Sequence, residues 1–169
     1  RVASALSTIG PADGRLQQVA VSRGIAFVDY AHTPDALEKV LSALRQSYPE
    51  SRIKVVFGAG GDRDNSKRQL MGQAVSNFAD WCVLTSDNPR TEDPEKIIAD
   101  VAVGIDDQQI DCAIIADRSE AIDYAVAGLE EGEVLLVAGK GHETYQEING
   151  VRSDFDDRLK IVEANQCLA

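Results

Sequence analysis

Four short apolar runs in this chain each end in a cluster of glycine and polar residues. The runs cover residues 25–28, 53–57, 81–85 and 134–138, and apolar residues at helical spacing lie between them, for example at 37–44. Strands that alternate with helices predict an α/β domain with a Rossmann-like, doubly wound and mostly parallel sheet. Ligands of such sheets lie beyond the carboxyl ends of the strands. The four polar clusters are therefore expected to converge on one crevice.

Two hairpins are expected beside the parallel strands. Residues 16–28 are predicted to form two short strands joined at 22–24, which would supply an antiparallel edge hairpin. Residues 145–152 are predicted to form a small hairpin that turns at Asn149-Gly150. The other predicted elements are a helix capped by Thr33, helices at about 66–79, 94–103 and 156–166, a helix through Ile122, Val126 and Leu129, and a strand at 112–116.

Composition and charge bound the class of protein. The 169 residues are 44% hydrophobic and 27% charged, which is typical of one globular domain spanning 1–169. The formal net charge of -11 argues against nucleic acid or an anionic membrane surface as the partner, and no apolar run is long enough to span a membrane. The three cysteines are far apart and form no Cys-x-x-Cys pair, so neither a disulfide framework nor a metal site is expected. We expect a cytoplasmic protein.

The glycine-rich cluster at 58–64 suggests a phosphate-binding turn but does not fit the known patterns. Arg63 occupies the position where the dinucleotide fingerprint requires its third glycine, and the chain contains no Gly-x-x-x-x-Gly-Lys-Ser/Thr loop. One interpretation is only a tight turn from strand to helix. Against it, Arg63, Lys67 and Arg68 lie together at a helix start, where cations oppose the helix dipole unless an anion compensates them.

The segment Asp87-Asn88-Pro89-Arg90 is the most informative cluster. It offers a carboxylate, an amide and a planar guanidinium on a chain that proline stiffens. Arg90 can bind a carboxylate through two parallel hydrogen bonds, while Asp87 and Asn88 can bind an ammonium group. These are the complementary groups for an amino acid. The alternative is a proline turn with a surface salt bridge.

The two remaining clusters add polar groups of the same kinds. In 139–143, Gly139 permits close approach of a ligand and Glu143 supplies a second carboxylate for an ammonium, unless the segment is only an exposed loop. After the first strand, Asp29 can accept hydrogen bonds from ribose hydroxyls and His32 can contact phosphate or base. Helix capping is the alternative there, and it is compatible with binding.

Six cations are predicted at the crevice in spite of the acidic composition. They are Arg15, Arg63, Lys67, Arg68, Arg90 and Lys140. A local positive field can coexist with an acidic outer surface, so the net charge does not exclude an anionic substrate.

Taken together, these motifs resemble the C-terminal domain of the Mur ligases, most closely of the members that add meso-diaminopimelate. The resemblance covers nearly the whole chain and rests on Gly14-Arg15, 29–35, 60–64 with Lys67-Arg68, 87–90 and 138–143. It implies an ATP-dependent amide ligase of peptidoglycan precursor synthesis. Such an enzyme joins meso-diaminopimelate to UDP-N-acetylmuramoyl-L-Ala-D-Glu through an acyl phosphate.

The resemblance also implies roles for individual residues. The diaminopimelate would be held by Arg63, Asp87, Asn88, Arg90, Gly139 and Glu143. ATP would be contacted by Arg15, Asp29 and His32, although ATP and Mg²⁺ would be bound mainly by a central domain that precedes this one. Since the sequence begins at Arg1 and contains no phosphate loop, we expect a fragment of a three-domain enzyme that is inactive alone, with no catalytic group or metal ligand assigned here. Gln69 departs from the proline that is frequent at its position, which should alter only the helix start.

Two other functions remain open at this point. One is an amide ligase domain similar to folylpolyglutamate synthase, which would lack the Asp-Asn-Pro-Arg cluster. The other is a non-catalytic module that binds an amino acid, which would bind diaminopimelate tightly without any partner domain.

Overall fold

The computed structural model describes residues 14–168, which form a six-stranded sheet, a separate two-stranded sheet and five α-helices. The strands are β1 (Gln17–Val19), β2 (Ile25–Asp29), β3 (Ile53–Phe57), β4 (Trp81–Leu84), β5 (Asp111–Ile114), β6 (Val134–Ala138), β7 (Tyr145–Ile148) and β8 (Val151–Asp154). The helices are α1 (Pro34–Ser47), α2 (Arg68–Phe78), α3 (Pro94–Ala102), α4 (Arg118–Ala127) and α5 (Asp157–Gln166). Both the fold class and the order of elements agree with the sequence-based prediction.

The large sheet has the strand order β1-β2-β6-β3-β4-β5, so the sixth strand lies between the second and the third. Only β1 and β2 pair antiparallel, which confirms the edge hairpin. The four other pairings are parallel. The carboxyl ends of β2, β6, β3 and β4 therefore meet at one edge of the sheet, where the four polar clusters begin.

Helices cover both faces of this sheet. Apolar residues of α1, α2 and α3 pack on one face, and those of α4 and α5 pack on the other. Successive strand residues divide between the faces, so Val55 belongs to the first core and Val56 to the second. Because right-handed crossovers in opposite directions along a sheet place their helices on opposite faces, this arrangement follows from the strand order. All of β3 and β6 is buried.

Local sequence signals fix most helix starts. The Thr33 side chain accepts a hydrogen bond from Ala36 N and Pro34 follows it, as predicted. The helix predicted from about residue 66 differs, because Asn65–Lys67 is a 3₁₀ turn and α2 begins only at Arg68. The Asp64 carboxylate accepts from Ser66 N at 3.0 Å and so caps the tighter turn rather than the α-helix.

The second predicted hairpin is also present, as β7 and β8. Its turn places Asn149 at φ 51° and Gly150 at φ 73°, the left-handed pair that two-residue hairpin turns require. The chain of residues 14–168 contains no helix long and apolar enough to cross a membrane.

Candidate functional site

A cavity of about 570 Å³ lies at the carboxyl ends of the parallel strands. Residues from all four polar clusters line it, which is the convergence that the sequence pattern predicts. Its lining includes all six residues predicted to hold diaminopimelate: Arg63, Asp87, Asn88, Arg90, Gly139 and Glu143. His32 lines the cavity as well, whereas neither Arg15 nor Asp29 is part of its lining.

The Asn88 amide is held in one orientation by its neighbours. Its Oδ1 accepts from Lys140 Nζ at 2.8 Å and from Glu147 N at 3.0 Å. Its Nδ2 donates to Glu143 Oε2 at 3.1 Å. Since an ammonium and a backbone N–H can only donate, the amide oxygen must face them and the amide nitrogen must face Glu143. The site therefore joins the clusters after β4 and β6 through a residue that is 3% exposed.

Asp87 presents a buried carboxylate oxygen without a hydrogen bond. Its Oδ1 accepts from no group of the described residues, although Lys140 Nζ lies 3.3 Å away as an ion pair. Gly139 lies beside this carboxylate at φ 119°, a backbone conformation that favours glycine. A buried acceptor without a donor costs about 1–3 kcal/mol. A ligand that brings a donor into the cavity would remove that cost.

Arg90 is fixed by backbone contacts that the sequence did not reveal. Its Nη1 donates to Gly61 O at 2.6 Å, and its backbone N donates to Glu147 O at 3.0 Å. Asn149 N donates to Arg90 O in return. This pairing with the hairpin edge holds Arg90 at φ 53°, a left-handed conformation that is uncommon for a residue with a side chain. The β7–β8 hairpin thus takes part in the site by holding the Arg90 backbone, while Gly61 O holds the guanidinium.

The cations of the glycine-rich cluster do not all face the cavity freely. Arg68 is 2% exposed and pairs with Glu92 at 2.8 Å and with Asp100 at 2.9 Å. For Arg68, the anions that compensate the charge are therefore carboxylates of the protein. Arg63 and Lys67, by contrast, are exposed residues that line the cavity. These two are the cations of the cluster that can meet an anionic group of a ligand.

Lys140 is predicted at the crevice, and the structure places its side chain there fully buried, outside the lining of the cavity. The ammonium donates to Asn88 Oδ1 and, at 2.9 Å, to Tyr145 O. Burial lowers the pKa of Lys140, while the charge of Asp87 opposes that shift. Lys140 thus supports the site from below rather than facing a ligand directly.

The three residues predicted to contact ATP lie around the end of β2. Both oxygens of Asp29 accept from backbone amides, Oδ2 from Leu16 N at 2.8 Å and Oδ1 from Ala31 N at 2.7 Å. Asp29 thereby fastens the start of the edge hairpin to β2. This role differs from the helix capping that the sequence left open, because Thr33 caps α1, and it leaves lone pairs on both oxygens.

Tyr30 lies at the centre of a cluster that sequence reasoning missed. The Arg15 guanidinium lies 5.2 Å from the centroid of its ring, and the rings of His32 and His142 lie 4.5 Å and 5.2 Å away. Burial raises the pKa of Tyr30, and the charge of Glu143 adds to the effect. Both histidines of the chain therefore meet at one aromatic side chain. The only signal in the sequence was that each lies within a polar cluster.

The fold and the lining of the cavity together define a class of protein. It is a doubly wound α/β domain whose crevice offers a guanidinium, two carboxylates and an amide to a small polar ligand. Residues 14–141 match the family described as Mur ligase, glutamate ligase domain, and the chain belongs to this family. The family resemblance read from the motifs is thereby confirmed.

Relatives and solved structures show which members of the family the chain is similar to. The chain is 48% identical, over 92% of its length, to a UDP-N-acetylmuramoyl-L-alanyl-D-glutamate--2,6-diaminopimelate ligase of Clostridioides difficile, strain 630. A solved structure of a ligase of the same name is 48% identical and superposes with a TM-score of 0.88 over 96% of the chain. The chain spans 32% of the first and 33% of the second, about a third of each. A bifunctional folylpolyglutamate synthase/dihydrofolate synthase from Yersinia pestis CO92 shares the fold alone, with a TM-score of 0.61 over 80% of this chain and 30% of its own, at 20% identity.

Proposed function

We propose that this chain is the domain that binds meso-diaminopimelate in an ATP-dependent ligase of peptidoglycan precursor synthesis. The observation that carries the proposal is one cavity that collects an Asp87 oxygen without a hydrogen bond, the Asn88 amide, the Arg90 guanidinium and the Glu143 carboxylate. The names of the relatives support the same activity. We further propose that residues 1–169 are one domain of a three-domain enzyme, because the chain spans only 32% of such a relative.

The proposed ligand matches the charges of the cavity. An ammonium group of diaminopimelate would lie between Asp87 and Glu143 and donate to the Asp87 oxygen that accepts no hydrogen bond within the described residues. A carboxylate would bind Arg90, with Arg63 also lining the cavity. Gly139 would leave the room that the ligand backbone needs beside Asp87.

The proposed reaction assigns a positioning role to this domain. ATP phosphorylates the D-glutamyl carboxylate of UDP-N-acetylmuramoyl-L-Ala-D-Glu, which gives an acyl phosphate and ADP. An amine of diaminopimelate then attacks the acyl carbon, and the tetrahedral intermediate loses phosphate while the amine loses its proton. Holding the amine near the acyl carbon can contribute about 7–11 kcal/mol to lowering the barrier. Closure of the domains would keep water away from the acyl phosphate.

The nucleotide would be shared with the preceding domain. Arg15, Asp29 and His32 are proposed to contact ATP from this side, and the cluster around Tyr30 supports the proposal because it gathers a cation and two imidazoles in one place. Mg²⁺ would be held with the phosphates by the central domain. Such an enzyme would act in the cytoplasm, where ATP and UDP-linked precursors are found.

The test is an acceptor assay on the full-length protein. Purified enzyme with ATP, Mg²⁺ and UDP-N-acetylmuramoyl-L-Ala-D-Glu should release ADP and form the tripeptide product with meso-diaminopimelate. Product formation should be far slower with L-lysine or L-glutamate. Turnover with glutamate and a folate, and none with diaminopimelate, would instead assign a folylpolyglutamate synthase activity. Tight binding of diaminopimelate by residues 1–169 alone, without turnover by the full protein, would assign a binding module.

A further inference from the structure

The side chain of Lys140 does not line the cavity, yet it contacts the groups that the cavity uses. Its Nζ donates to Asn88 Oδ1 at 2.8 Å and lies 3.3 Å from Asp87 Oδ1. Its own backbone oxygen accepts from Glu143 N at 2.9 Å. Three of the proposed ligand-binding residues are therefore connected to this one buried lysine.

Burial of an ammonium group is costly, so packing alone does not explain its presence. The Lys140 side chain is 0% exposed, and its Nζ lies 5.9 Å from the ring centroids of both Tyr145 and Phe155. Replacing a buried ionic group by an apolar one of similar volume is often neutral or stabilising. An apolar residue would suit this pocket of aromatic rings, but it would leave Asn88 Oδ1 with one donor fewer.

The loss would act on the orientation of the Asn88 amide. The amide has two alternatives related by a flip, and donors facing its oxygen decide between them. With Lys140 present, two donors hold the oxygen inward and turn Nδ2 toward Glu143 Oε2 at 3.1 Å. Without it, one backbone N–H remains, and the carboxylate of Asp87 loses the cation that pairs with it.

We infer that Lys140 is a positioning residue for the amino-acid substrate. It fixes the Asn88 amide and the Asp87 carboxylate in the arrangement that receives the substrate ammonium, without contacting the substrate itself. This inference rests on the proposed function, since it assigns the ammonium of diaminopimelate to these two residues.

The test compares two buried lysines in the full-length enzyme. Lys140→Met should raise the KM for meso-diaminopimelate at least tenfold and leave the KM for ATP within twofold. Lys54→Met is the matched control, because Lys54 is also buried and ion-paired, with Glu133 at 2.6 Å, but its partners Glu133 and Gly128 do not line the cavity. Lys54→Met should leave both KM values within twofold of wild type, even if it lowers the melting temperature as much as Lys140→Met does.

A double variant separates positioning from general damage. If Lys140 acts through Asn88, then Lys140→Met combined with Asn88→Ala should raise the KM at least threefold less than the product of the two single effects. If Lys140→Met does not fold, Lys140→Leu, which also removes the donor to Asn88 Oδ1, replaces it, with the same expected rise and the same cycle.

Three results would overturn the inference. A KM for diaminopimelate within twofold of wild type in the Lys140 variant would do so, as would an equal rise in the Lys54 control. If the KM increases of the two single variants multiply to that of the double variant, then Lys140 does not act through Asn88. Failure of the proposed function is distinct, because the wild-type enzyme would then show no dependence on diaminopimelate at all.

Discussion

At the scale of single residues, the site depends on side chains whose positions are set by the backbone around them. Arg90 is the clearest case, since Gly61 O accepts from its guanidinium and the hairpin edge holds its backbone at positive φ. A Cβ at Gly61 would lie 1.9 Å from Pro89 O, so the two loops fit together only with glycine there. Selectivity for the substrate is expected to follow from this placement.

Replacing Arg90 should discriminate between diaminopimelate and lysine. The two amino acids differ by one distal carboxylate, which the guanidinium is shaped to bind. In the full-length enzyme, Arg90→Ala should lower kcat/KM for meso-diaminopimelate by a factor that corresponds to at least about 2–3 kcal/mol of lost transition-state stabilisation. It should hardly change any residual activity with lysine. The two substrates are compared on one purified variant. Equal losses for both would mean that Arg90 supports the loop and that the distal carboxylate is recognised elsewhere.

His32 offers a test of the proposed nucleotide contacts. Its ring is tilted by 60° against that of Tyr30, its Nδ1 lies 2.7 Å from Tyr30 O, and the residue is exposed. His32→Ala in the full-length enzyme should raise the KM for ATP or lower kcat while the melting temperature changes little, because an exposed ring contributes little to the core. Steady-state kinetics with varied ATP measures this. Unchanged ATP dependence would leave His32 with a structural role alone.

At the scale of elements, α2 and α3 are joined by charge as well as by apolar packing. Arg68, at the start of α2, pairs with Glu92 just before α3 and with Asp100 within it. The two helices also approach closely, because a Cβ at Gly72 would lie 2.4 Å from Val101 O. The same residues contact the glycine-rich loop that carries Arg63, since Arg68 donates to Gly60 O and Glu92 accepts from Asp62 N.

The pairing predicts a pH-dependent contribution to stability. The hydrogen bond from Arg68 lowers the pKa of Glu92 below its ordinary value of 4.5. A carboxyl group with a lowered folded-state pKa contributes stability above its unfolded pKa and loses that contribution as the pH falls through the folded value. Glu92→Gln should therefore lower the melting temperature at pH 7, and the difference from wild type should shrink toward pH 3.

Glu163→Gln is the matched control for that experiment. Glu163 pairs with Lys160 on α5, but its side chain is 61% exposed. Exposed pairs of this kind contribute little, so the control should change the melting temperature far less at either pH. A difference for Glu92→Gln that does not depend on pH would exclude the ion pair as its cause.

The elements show how far the sequence could predict the structure. The spacing of apolar residues and the capping residues predicted each strand and α-helix, because apolar faces and caps are local properties of the sequence. The contacts of Lys140 and Arg68 were not predictable, because each depends on a partner from another loop that only the folded sheet brings near. The pairing of Arg90 with the hairpin is of the same kind, since Glu147 lies far along the chain.

At the scale of the whole molecule, the proposed function makes this domain one side of a reaction site. The chain spans about a third of its relatives and its sequence contains no Gly-x-x-x-x-Gly-Lys-Ser/Thr loop for a triphosphate. Purified residues 1–169 should therefore show no ATP hydrolysis and no ligation above a blank, measured as ADP release with all three substrates present. Adding the remaining domains in one chain should restore both. Steady ADP release by residues 1–169 alone would contradict the proposal that ATP is bound mainly by the central domain.

The place of β6 between β2 and β3 has a consequence for how the chain is made. Ile25 and Val134 are neighbours in the sheet, although roughly a hundred residues separate them along the chain. While a ribosome is still adding residues up to Val134, β2 and β3 have no strand between them and the centre of the sheet is open. Apolar edges of β2 and β3 are then exposed to other nascent chains. The large sheet can therefore close only after β6 has been synthesised.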